Sequence, residues 1–109
     1  MTQVSPLGTT HVRTHGTVAP ETTAYALEKL EVALRHAPGP VLHCWLTLDA
    51  ATPGDCIDAS ANVNGVHIHV HAIGETMQEA ADLMQERLRS RLRRIRRRPD
   101  QGPAAPDAA

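Results

Sequence analysis

The chain has 109 residues, 41% of them hydrophobic, with one Tyr, one Trp and no Phe, which leaves room for one modest core of Leu, Val, Ile and Ala. The formal net charge of −1 hides a division: residues 1–86 hold three cations against ten acids, and residues 87–98 hold eight arginines and no acid. Two cysteines without a CxxC spacing exclude a disulfide framework. No apolar run is long enough for a transmembrane helix and no signal peptide opens the chain, so the expected location is the cytoplasm, with both thiols reduced.

Residues 1–8 read as a flexible arm, and "THVRTHG" (10–16) follows as an edge strand. "PETTAYALEKLEVALRHA" reads as a helix with an apolar stripe at Leu27, Leu30, Leu34 and Ala37. Pro20 suits its first position, and the prolines of "PGP" (38–40) stop it because they cannot extend the hydrogen-bond ladder. "VLHCWLTLD" alternates, predicting a half-buried strand with Leu42, Cys44, Leu46 and Leu48 inward and Val41, His43, Trp45, Thr47 and Asp49 outward.

"IDASANV", the turn "NG" and "VHIHVHA" predict a hairpin. A two-residue turn at 64–65 pairs 63 with 66, 61 with 68, 59 with 70 and 57 with 72, all apolar. It also pairs Asn62 with His67, Ser60 with His69 and Asp58 with His71 on the opposite face. A one-residue slip would break every match.

The last helix opens at Thr76 with "TMQE", a capping box in which Thr76 accepts from the Glu79 amide and Glu79 reaches back. Apolar positions 77, 80, 81, 84, 88, 92 and 95 form its stripe, and a helix reaching Arg98 would be about 34 Å long. Its acids lie early and its arginines late, as the helix dipole favours. Pro99 ends it, and the Pro/Ala-rich stretch 99–109 reads as a disordered tail or linker. The expected fold is α+β, in the order β-α-β-β-β-α: one four-stranded, mostly antiparallel sheet with both helices on one face, spanning residues 9–98 as a single domain.

Three features carry chemistry. The arginine run suits phosphate binding, because guanidinium forks hold phosphates bidentately and release counterions. Arg87, Arg91, Arg94 and Arg98 line one flank of the helix, and Arg89, Arg93, Arg96 and Arg97 cover its other faces. A solvated, dipole-stabilised helix end would need only two or three cations, so the run points to RNA or another polyanion. Second, His67, His69 and His71 share a strand face with room for His43 and Trp45. The plain reading is polar residues on an uncovered sheet, with stacking on bases as the functional one. The HxH pattern also admits zinc, but Asp58 is the only obvious carboxylate partner, and no metal or other cofactor is expected. Third, none of the GxSxG, P-loop, GxGxxG or HExxH motifs occurs, so no enzyme is expected.

The order of elements, with "DASANVNGVHIHVHAIGETM" running into "QEAADLMQERLRSRLRRI", resembles the N-terminal domain of the ribosome hibernation-promoting factor, or ribosome-associated inhibitor, family. Asp58-Ala59, Val63-Asn64-Gly65, Thr76-Met77, Ala80, Asp82, Arg87-Leu88 and Leu92 fall on the family pattern without a gap, and Tyr25, Lys29 and Leu30 match in the first helix. The resemblance spans about residues 10–98. It implies a translation silencer, not an enzyme, that binds the 30S subunit and 16S rRNA near the mRNA and tRNA decoding channel, without membrane or small-molecule partners.

The expected RNA-contacting residues are Arg87, Arg91, Arg94, Arg98, Arg89, Arg97, Lys29 and Arg35, basic residues on the two helices as the resemblance implies, with sheet-face contacts from His67, His69, His71 and Trp45 expected from the strand pattern. The first helix is acidic at Glu21, Glu28 and Glu31 where the family is usually basic, so positive charge is moved to the end of the last helix. Longer members add a C-terminal dimerisation domain, which a partner or a longer form of this chain would have to supply. Two other readings are a general structured-RNA-binding module and a metal-responsive protein using the "HIHVH" strand.

Overall fold

The computed structural model describes residues 2–5, 8–51 and 54–97. The elements run β1 (Thr2–Ser5), β2 (Gly8–His15), α1 (Pro20–Leu34), β3 (Val41–Asp49), β4 (Asp55–Val63), β5 (Val66–Gly74) and α2 (Met77–Arg97). The expected α+β order is present, and β1 is added to it in the stretch read as an arm. The five strands lie in chain order, β1-β2-β3-β4-β5. Neighbours are antiparallel except β2 and β3, which are parallel because α1 carries the chain back between them.

The hairpin forms in the predicted register, from Val63↔Val66 to Ile57↔Ala72, with Asp58 opposite His71. Asn64 and Gly65 both take positive φ, 52° and 90°, as a tight turn of matching twist requires. The Asn62 side-chain oxygen accepts from the Gly65 amide at 2.8 Å and closes the turn. Val66, expected inward, is exposed at the hairpin's end, beyond the reach of the helices.

Both helices cover one face of the sheet. Ile57, Ala59, Ala61, Val63, Ile68, Val70 and Ala72 meet Met77, Ala80, Ala81, Met84, Leu88 and Leu92 of α2 in the core. Burial of each large aliphatic side chain contributes about 1.5–3 kcal/mol by removal from water. Gly74 lets β5 run straight into α2, since a Cβ there would lie 2.7 Å from the Ala80 amide nitrogen. In α1 the buried residues are Ala26, Leu30, Ala33 and Leu34, with Leu27 only half-buried; the helix ends at Leu34, so Ala37, also half-buried, lies beyond it. The buried stripe therefore runs through Ala26 and Ala33 beside Leu30 and Leu34, rotated slightly from the expected one.

One expectation about β3 is corrected. Val41 is buried and Leu42 is 47% exposed, the reverse of simple alternation. The register with β4 shifts between Val41 and His43, a bulge-like irregularity that turns Val41 inward and Leu42 outward. From His43 onward the predicted alternation holds: Cys44, Leu46 and Leu48 are buried and Trp45 is exposed.

Candidate nucleic-acid interface

The arginine helix is fixed at its start and along its stripe. The Thr76 hydroxyl accepts from the Glu79 amide at 3.1 Å, and the Glu79 carboxylate accepts from the Glu75 amide at 2.6 Å. The capping box thus closes one residue earlier than the expected return to Thr76. Leu88 and Leu92 are buried and Ile95 half-buried, so the arginines between them are held at helical spacing.

Arg87, Arg91 and Arg94 lie on the flank facing β5, an edge strand with no partner among the described residues on its outer side. Arg87 donates to the His71 carbonyl, and Arg91 donates to the His69 carbonyl at 3.2 Å. These bonds occupy edge carbonyls that would otherwise invite another strand. With Ser90 and Arg94 the two arginines line a groove of about 350 Å³ along His69, Val70 and His71. Arg89 and Arg93 lie with Glu86 on the helix's other flank. Among the described residues, no carboxylate pairs with Arg87, Arg89, Arg91, Arg93 or Arg94. Arg97 closes the helix, and Arg98 lies outside the described residues, as does the tail.

The first helix differs. Lys29 pairs with Asp82 of α2 at 3.4 Å and sits over the Tyr25 ring at 5.1 Å, while the Tyr25 hydroxyl donates to Asp82 at 2.7 Å. The bond to Asp82 raises the Tyr25 pKa, with desolvation adding to it. Desolvation works against the Lys29 ammonium, but Tyr25 and Asp82 together raise its pKa. Lys29 is therefore committed to joining the two helices. Arg35 is exposed just past the end of α1.

The opposite face of the sheet bears the histidines. The Asp58 carboxylate accepts from His71 Nδ1 at 2.8 Å and from His69 Nε2 at 3.2 Å. Trp45 stacks with His11, ring centroids 6.0 Å apart and planes 14° apart, and lies 5.8 Å from His43 and 6.3 Å from His67. Sequence reasoning misses His11, because only the parallel register of β2 on β3 sets it beside Trp45. Among the described residues, no group of three or more His, Cys, Asp or Glu is arranged to hold a metal ion. No described helix is long and apolar enough to cross a membrane.

Residues 10–99 match the family described as Sigma 54 modulation protein / S30EA ribosomal protein. The fold is similar to a ribosomal subunit interface protein from Coxiella burnetii, with TM-score 0.69 and 18% identity, covering 81% of this chain and 97% of that one. It is also similar to the N-terminal domain of Thermus thermophilus Protein Y, with TM-score 0.68 and 17% identity, covering 79% and 96%. No curated protein matches by sequence.

Proposed function

The chain belongs to the Sigma 54 modulation protein / S30EA ribosomal protein family, a ribosome-associated family, and we propose that it is a translation silencer acting on the small ribosomal subunit. It docks the arginine flank of α2 on 16S rRNA beside the mRNA and tRNA decoding channel and works by occupying that site, without catalysis or cofactor, in the cytoplasm. The observation that carries this reading is the row Arg87, Arg91 and Arg94, held by a buried leucine stripe and unpaired with any described carboxylate. Neighbouring guanidinium groups repel one another unless an anion lies between them, and phosphates fit that role bidentately. Arg98, Arg89, Arg97 and Arg35 extend the contact. Lys29 acts from within its link to Asp82.

The test is cosedimentation with purified 30S subunits across a salt series, beside a variant with Arg87, Arg91, Arg94 and Arg98 changed to Glu. Stoichiometric binding at moderate salt is expected, blocked by prebound mRNA and tRNA and weakened about tenfold or more in the variant. Binding only at low salt, equal for any structured RNA, would replace this reading with that of a general RNA-binding module.

A further inference from the structure

Histidines 11 and 15 on β2, 43 on β3, and 67, 69 and 71 on β5 all occupy the outward positions of their strands. Six of the seven histidines therefore share the face of the sheet that the helices leave open. The seventh, His36, follows α1. No local pattern of residues brings the six together, since β2 and β5 are far apart in sequence and meet only through the order of the sheet. At about 4.8 Å between neighbouring strands, the array spans about 15 Å from β2 to β5. At its centre is Trp45, 39% exposed, with its ring contacts to His11, His43 and His67. Among the described residues, no element packs on this face.

The other charged groups there are few. Arg13 of β2, Asp49 of β3 and Asp58 of β4 point the same way, with the Cys56 thiol beside them. Arg87, Arg91 and Arg94 of α2 reach the rim at His69 and His71. With neutral histidines the face carries Arg13 against two acids. With all six protonated, seven cations stand against the same two acids. Histidine is the side chain whose charge ordinarily changes between pH 5 and 8. The array is continuous, around the free edge of β5, with the arginine groove.

We propose that this open sheet face is a second RNA-binding surface, a base-stacking platform centred on Trp45 whose hold on the phosphate backbone is switched on by protonation of the surrounding histidines. The inference rests on the RNA-binding reading above and adds a surface and a pH dependence to it. Single-stranded RNA is the occupant that fits, because exposed planar rings take unstacked bases while cations around them take phosphates. Continuity with the arginine flank lets one strand of RNA run from groove to face.

The test uses Trp45, the only tryptophan, as reporter. Its fluorescence is followed while short oligouridine is added at fixed salt, between about pH 7.5 and 5.5. Quenching is expected, with affinity rising about tenfold or more as pH falls, since each further phosphate neutralised releases counterions. The triple variant His11→Gln, His43→Gln, His67→Gln should lose most of that rise. The single variant His67→Gln, at an exposed hairpin position, serves if the triple variant does not fold.

An unchanged pH dependence in these variants would overturn the proposal. So would binding, read by anisotropy of labelled RNA, that leaves Trp45 silent and depends only on Arg87, Arg91 and Arg94. Acid-induced self-association in place of RNA binding would do the same, by making the face an interface between copies. Failure to sediment with 30S subunits, with acid-dependent oligouridine binding intact, would instead remove the ribosomal reading alone.

Discussion

Cys44 and Thr10 face each other across β2 and β3, both buried, with Thr10 Oγ1 3.2 Å from Cys44 Sγ. Burial pushes the Cys44 thiol above its ordinary value of 9.0, the Thr10 bond pulls the other way, and Glu31 adds to the rise. The unfolded thiol ionises first as pH climbs, while the folded one holds its proton. The contribution to stability is therefore complete below pH 9 and is lost as pH rises from there toward the folded value. The melting temperature should fall more steeply above pH 9 in the native protein than in Cys44→Ala, and equal slopes would refute this account. The inward direction of Cys44 is legible in the sequence because it alternates with Leu46 and Leu48. The reversal at Val41 and Leu42 is not, because the register irregularity depends on where β4 ends against β3. Nor is the engagement of Lys29, whose partner Asp82 lies on the other helix.

Among the elements, α2 has the clearest local signals: a capping Thr, a leucine stripe and acids before arginines. Thr76→Ala removes the acceptor of the Glu79 amide and should cost about 1 kcal/mol. For a domain of this size that is a fall of about 4–8 °C in melting temperature. Thr76→Ser should restore most of it, and thermal denaturation of the two variants checks both. The β4–β5 hairpin is equally legible, since turn residues and apolar pairing both select one register. The added strand β1 is not. Its four residues, three of them polar, acquire an identity only by pairing with β2.

At the scale of the molecule, the helices cover one side and the histidine face lies on the other, with the arginine groove joining them at β5. Phosphate binding by that groove predicts a salt dependence. The slope of log affinity against log salt should shrink by about 0.7–0.9 for each phosphate that is no longer neutralised. Arg87→Gln, Arg91→Gln and Arg94→Gln combined should therefore flatten the slope for 30S binding by about 2 or more. An unaltered slope would place the phosphate-binding surface elsewhere.

The α+β order, the hairpin register, the apolar side of α2 and the arginine run are all legible along the chain. Each of these follows from periodicity or turn chemistry within a few residues, where side-chain direction is set by the backbone alone. The bulge at Leu42, the bond from Lys29 to Asp82, the use of Arg87 and Arg91 on the β5 edge, and the gathering of six histidines on the face that bears Trp45 appear only in the packed molecule. Those depend on which strands become neighbours. That choice is made by burial of the whole core against two helices, and no local pattern of residues encodes it.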